Sequence, residues 1–147
     1  MIQKYYYSYD EFKIDVNSLA KKLENQNFDA IVGIARGGLL LTQFLAIKLN
    51  LRDVFTINSI LYDDMIKKEG GKVFNVPQID NYTKVLIVDD IVDSGETIKN
   101  ILEVLKNEFP NTQFEIASLF YKKTAFVQPD FVEKEANAWI DFFWEVD

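Results

Sequence analysis

The 147-residue chain contains no cysteine and no histidine, and only six glycines and three prolines. The missing cysteines exclude a disulfide framework, which fits the cytoplasm. The missing histidines remove the commonest general base and metal ligand, so Ser-His-Asp chemistry, HExxH zinc sites and His/Cys zinc sites are all excluded. Any catalysis must then use carboxylates, lysines, tyrosines or backbone dipoles. A metal would be a hard cation held by oxygens, magnesium first among the candidates. No apolar run approaches the roughly 20 residues that a membrane helix needs, so a soluble chain with no membrane partner is expected. The opening MIQKYYYSYD has neither the basic n-region nor the apolar h-region of a secretory signal, and a cytoplasmic location is the expectation. Positive charge is also scarce. Against 23 acidic side chains stand 16 basic ones, a formal charge of −7 and the wrong sign for a general nucleic-acid binder.

What is present suffices for a core: 48% of the residues are hydrophobic and 27% charged, the balance of one compact domain over residues 1–147. Ser8 and Glu11 form a capping-box pattern ahead of Phe12, Val16, Leu19, Ala20 and Leu23, whose spacing marks one helical face running to about Asn25. Residues 30–35 (AIVGIA) form a short apolar run that suits a strand buried on both faces, followed by Arg36-Gly37-Gly38 and a helical stretch over 39–49. A second strand is expected over 54–59. The polar segment 62–72, with Lys67, Lys68, Lys72 and Gly70-Gly71, reads as a mobile loop. Residues 84–89 (KVLIVD) predict a buried strand, 96–107 a helix and 114–120 (FEIASLF) a further strand. This alternation predicts an α/β fold with a mainly parallel sheet, right-handed crossovers and ligand binding beyond the carboxyl ends of the strands.

The segment 85–97, VLIVDDIVDSGET, joins the clearest strand to a helix through Asp89, Asp90, Asp93, Ser94, Gly95, Glu96 and Thr97. A helix opening there points unpaired N–H groups and the positive end of its dipole outward, which suits a phosphate monoester. Gly95 allows close approach, and Ser94 and Thr97 offer hydroxyl donors, although the same residues could simply cap a helix. Adjacent carboxylates such as Asp89 and Asp90 repel unless a cation or hydrogen-bond donors lie between them.

This segment resembles the phosphoribosyl-diphosphate (PRPP) binding motif of the type I phosphoribosyltransferases, and Ala35-Arg36-Gly37-Gly38 resembles the family's diphosphate loop. The resemblance implies the type I phosphoribosyltransferase fold, with a flexible hood loop and a small C-terminal base-binding segment. It implies that Asp93, Ser94, Gly95, Glu96 and Thr97 hold the 5′-phosphate, and that Asp89 and Asp90 bind the ribose hydroxyls and Mg2+. Asp93 would stand near N7 of a purine as general base or hydrogen-bond acceptor, a role a carboxylate can fill where only modest proton transfer is needed. Arg36, with the backbone of Gly37 and Gly38, would stabilise the departing diphosphate. A cis peptide is expected between Ala35 and Arg36. Lys67, Lys68 and Lys72 match the hood in position, while the family's Ser-Tyr pair is spread here over Ser59 and Tyr62.

Toward the C-terminus, Phe120-Tyr121-Lys122 and Trp139-Ile140-Asp141-Phe142-Phe143-Trp144-Glu145 resemble the bacterial xanthine-guanine and hypoxanthine phosphoribosyltransferases. By that resemblance Lys122 donates to purine O6, Trp139 stacks on the ring, and the Ile140 backbone reads N1 and position 2. Lys123 competes for the O6 role. Read alone, the aromatic cluster suits core or interface packing better than a base clamp, and Trp144 suits packing above all. The expectation is a purine salvage enzyme that joins PRPP to a 6-oxopurine, working as a homodimer or homotetramer. A PRPP-sensing regulator or a uracil enzyme of the same fold is the alternative.

Overall fold

The computed structural model describes residues 3–62 and 71–146. The chain runs β1 (Lys4–Tyr7), α1 (Tyr9–Leu23), β2 (Ala30–Ala35), α2 (Leu39–Lys48), β3 (Val54–Leu61), β4 (Gly71–Phe74), β5 (Lys84–Val92), α3 (Glu96–Glu108), β6 (Gln113–Tyr121), β7 (Phe131–Glu135) and β8 (Trp139–Phe142). Six strands form the main sheet in the order β4-β3-β2-β5-β6-β7, and β1 and β8 form a separate two-stranded sheet. All main-sheet pairings are parallel except β3 with β4.

Strand alternation explains the layers. On β5, Leu86 and Val88 face α1 and α2, joining Phe12, Leu19, Leu41 and Leu45. Val85 and Ile87 turn the other way and pack with Ile98, Ile101 and Leu105 of α3. A strand covered on both faces has no polar side to show, hence its near-continuous apolar run. The capping box is present: Glu11 N donates to Ser8 Oγ, and Ser8 N to the Glu11 carboxylate. The mainly parallel α/β architecture is therefore as expected from the sequence.

Several boundaries differ from the expectation, each for a tertiary reason. The strand expected to end at Asp89 continues to Val92, because Ile91 and Val92 pair with Phe120 and Tyr121. Asp89 and Asp90 thus lie in a strand, not in a loop. β3 runs on to Leu61, and Gly71 and Lys72, expected in the mobile loop, begin an antiparallel partner strand. Lys67, Lys68 and Gly70 lie outside the described residues. The N-terminal KYYY run becomes β1 because β8, from the far end of the sequence, supplies its partner, Tyr7 pairing with Phe142. Edge strand β7 extends the sheet beyond β6 without an intervening helix.

From β2 the chain moves to β3 on one side, while β5 pairs with β2 on the other. The switch in direction leaves a crevice at the carboxyl ends of β2 and β5. The Arg36 loop and the 93–95 loop both open there.

Candidate active site

Backbone spacing builds the β2 side of the crevice. A side chain at Gly37 would collide with the Asp90 carboxylate, and one at Gly38 with the Val88 and Ile34 carbonyls. Only glycine lets this turn lie against the end of β5. The Ala35–Arg36 peptide is cis. Arg36 is exposed and has no ion-pair partner among the described residues; it lines neither of the clefts described below.

On the β5 side, Gly95 at φ 93° is the N-cap of α3, with no side-chain cap. Gly95 has no side chain to cap with, but Ser94 Oγ accepts from Glu96 N at 3.1 Å, so one N–H of the first turn is met by a side chain, part of the helix-cap reading. The first-turn N–H groups after Glu96 have no side-chain cap and stay available to an anion. Asp89 Oδ1 accepts from Asp90 N at 2.9 Å, and Asp90 Oδ1 from Ile91 N at 2.7 Å. Loss of water raises the Asp89 carboxyl well above its ordinary value, with the Asp90 charge adding to the effect. Burial raises Asp90 as well. Neither carboxylate has an ion-pair partner among the described residues.

Two adjoining clefts occupy the crevice. One of about 350 Å³ is lined by Leu61, Asp89, Asp90, Ser94, Gly95 and Thr97, together with their neighbours. The second, of about 170 Å³, lies between Asp93, Lys122, Trp139, Ile140, Phe142 and Glu145. Asp90, Ile91 and Asp93 line both. Lys122 Nζ pairs with Asp93 Oδ1 at 2.8 Å, so a cation and a carboxylate stand together at the mouth of the smaller cleft. Lys123 turns away to Glu135 at 3.4 Å. Trp139 remains 59% exposed, offering an apolar face, while Trp144 stacks on Phe142 at 4.5 Å and packs against Phe12.

A sequence profile of the phosphoribosyl transferase domain matches residues 3–147. The chain belongs to the phosphoribosyltransferase family. It is 31% identical to the xanthine-guanine phosphoribosyltransferase of Roseobacter denitrificans, over 97% of this chain and 85% of that protein. Among solved structures, the Helicobacter pylori xanthine-guanine-hypoxanthine phosphoribosyltransferase superposes with a TM-score of 0.90 at 42% identity, covering 99% of this chain and 96% of that one. A purine phosphoribosyltransferase from Pyrococcus horikoshii follows at 0.85 and 28% identity, covering 98% and 95%.

In this phosphoribosyltransferase the fold gathers Asp89, Asp90, Asp93, Ser94, Gly95 and Thr97 around one cleft, and Lys122, Trp139 and Ile140 around its neighbour. Ala35, Arg36, Gly37, Gly38 and Glu96 stay outside both linings. Glu145 is a lining residue that sequence reasoning passed over. Burial raises its carboxyl, with Asp90 and Asp141 adding to the shift. Glu145 closes the segment that carries the C-terminal resemblance, but an acid without periodicity draws no role from it. Only the return of β8 to the crevice puts it there.

Proposed function

We propose that this phosphoribosyltransferase transfers the 5-phosphoribosyl group of PRPP to N9 of a 6-oxopurine, giving the nucleoside 5′-monophosphate and diphosphate. The observation that carries this reading is the pair of adjoining clefts with Asp93 between them and Lys122 at 2.8 Å from it. A 6-oxopurine presents O6 and N7 side by side. An ammonium complements O6 and would meet the amino group of adenine donor to donor, so adenine is disfavoured. Asp93 accepts at N7, Trp139 stacks on the ring, and the backbone at Ile140 reads N1 and position 2. The named activities of the bacterial relatives support the same base class.

The larger cleft takes PRPP. Gly95, Glu96 and the outward N–H groups of α3, with the hydroxyls of Ser94 and Thr97, receive the 5′-phosphate. Asp89 and Asp90 bind the ribose hydroxyls. Breaking the bond from C1′ to diphosphate gathers negative charge on the leaving group, which Ala35, Arg36, Gly37 and Gly38 face as donors.

Asp89 and Asp90 also fit magnesium. Both offer hard oxygen ligands, both are pushed up by burial, and no protein cation neutralises them among the described residues. Two carboxylates are what magnesium usually takes from protein, the remaining ligands being water and substrate oxygens. When bound, it supplies positive charge toward the diphosphate.

The test is nucleotide and diphosphate formation from PRPP across guanine, xanthine, hypoxanthine, adenine and uracil, with and without magnesium. Turnover confined to the three 6-oxopurines is expected. Activity on uracil or adenine would overturn the base pocket, and PRPP binding without turnover on any base would overturn the reaction.

A further inference from the structure

The connection between β6 and β7, residues 122–130, begins with Lys122 and clasps the neighbouring 93–95 loop. Lys122 N donates to the Val92 carbonyl at 2.9 Å, and Phe126 N to that of Ser94 at 3.0 Å. Gly95 lies so close to Val127 that a side chain there would meet its amide. One backbone hydrogen bond closes the start of the loop, from Ala125 N to the Lys122 carbonyl at 3.0 Å. A single bond of that kind in a polar surface loop opens readily. Phe126 and Asp130 tie the loop to its neighbours, and within the 122–125 turn the other ties come from one side chain. Gln128 Nε2 reaches the carbonyls of Ala125 at 2.7 Å and Lys122 at 3.1 Å, with that of Lys123 at 3.5 Å. Gln128 is itself exposed, yet its two amide protons are turned inward to neighbouring carbonyls.

We propose that Gln128 is a positioning residue for the purine: its amide clips the 122–125 turn, fixing the Lys122 ammonium opposite Asp93 at the O6 edge. The proposal rests on the 6-oxopurine reading above. The phosphate-side N–H groups belong to α3, and the tie from Phe126 N to the Ser94 carbonyl lies outside the carbonyls that Gln128 binds, so they depend less on the clip than Lys122 does. Loss of the amide therefore falls on the base and largely spares PRPP.

The experiment compares wild type, Gln128→Ala and Gln128→Glu, each with and without Lys122→Met. It reads KM for guanine, KM for PRPP, the dissociation constant of guanosine monophosphate and the melting temperature. Gln128→Ala is expected to raise the guanine KM about 5- to 10-fold with the PRPP KM within about twofold, as losing one or two neutral hydrogen bonds predicts. Gln128→Glu, which sets an acceptor against carbonyls, does at least as much harm and serves should the alanine variant fail to fold. In the Lys122→Met background the effect of Gln128→Ala on nucleotide affinity shrinks to within about twofold, because the clip then has no ammonium to position. A Gln128→Ala effect that persists in that background, or that strikes PRPP equally, would overturn the proposal. So would a Lys122→Met loss with no Gln128→Ala loss, leaving the base-site reading intact. If Lys122→Met leaves guanine use unchanged, the base-site reading falls and the proposal falls with it.

Discussion

The larger cleft draws its lining almost wholly from residues 89–98, whereas the smaller one collects Asp93 beyond β5, Lys122 beyond β6 and residues 138–145 around β8. The first is a local construction. Its recognition groups are backbone amides at a helix start, two adjacent carboxylates and a glycine at positive φ, all fixed once β5 and α3 form. The second is an assembly. β8 has no partner in the main sheet; it pairs with β1, its Phe142 packs on Tyr7, and Trp144 just beyond it packs on Phe12. Tyr7 is fully buried, donates to Asp15 Oδ2 at 2.6 Å, and meets Phe120, Phe142 and Trp144 edge-on. Lys134 lies 3.1 Å from the same carboxylate, closing the network from β7. On the proposed function, the PRPP chemistry falls on the local half and the choice of base on the half that distant contacts can retune.

The sharpest way to test this division is at Asp93, one of the three residues that line both clefts. Asp93→Asn should lower turnover at least about 100-fold while PRPP binding persists, as loss of a general base predicts. Steady-state rates beside PRPP titration decide it, and unchanged turnover would remove Asp93 from the chemistry. Next in size, Lys122→Ala should raise the KM for guanine and hypoxanthine about 10-fold or more, the scale of a lost charge-assisted hydrogen bond, with PRPP nearly unaffected. Comparable damage to both substrates would dissolve the distinction between the halves.

A third perturbation leaves the site untouched and loosens only its support. Tyr7→Phe removes the buried hydroxyl that donates to Asp15 and should cost about 1–3 kcal/mol in denaturant unfolding. Its kinetic effect should fall on the base more than on PRPP, since Tyr7 pairs with Phe142 of β8. A protein of unchanged stability would show that Lys134 alone satisfies Asp15.

Asp89→Asn should act in the opposite direction on stability. A carboxyl raised in the folded state binds its proton more readily there than in the unfolded chain. Folding stability is therefore lost as pH rises from the ordinary carboxylate value through the raised one. Removing that charge should raise the melting temperature at neutral pH by about 2–4 °C, flatten its decline with pH, and abolish turnover. Thermal melts of the ligand-free protein between pH 4 and 8 would show it, and a lowered melting temperature would refute it. Lys123→Ala, whose ion pair with Glu135 is surface-exposed, should change guanine KM by less than about twofold.

The legibility of the chain follows the same division. The VLIVDDIVDSGET run could be read because strand, acids, glycine and helix start are contiguous, and their periodicities change at fixed points. The continuation of β5 through Asp89 and Asp90 could not, since it depends on pairing with β6. Lys122 and Lys123 are indistinguishable as letters; their neighbours in space send one to Asp93 and the other to Glu135. Glu145 closed the C-terminal segment that carried the resemblance but drew no role from it, and Gln128 carried no signal because an isolated amide has no period and no motif. The polar 62–72 segment concealed the start of β4 because an edge strand needs only one apolar face.

The sequence by itself determined the α/β layering, the amphipathic helices and the phosphate-type loop, because each depends on residues within a turn or two of one another. Tertiary structure alone decided which lysine enters the smaller cleft, that KYYY becomes a strand, and that an acid near the chain end faces Asp90. Those outcomes rest on contacts between segments far apart in the chain, where packing and hydrogen-bond partners are set by the closed fold and leave no periodic mark in the order of residues.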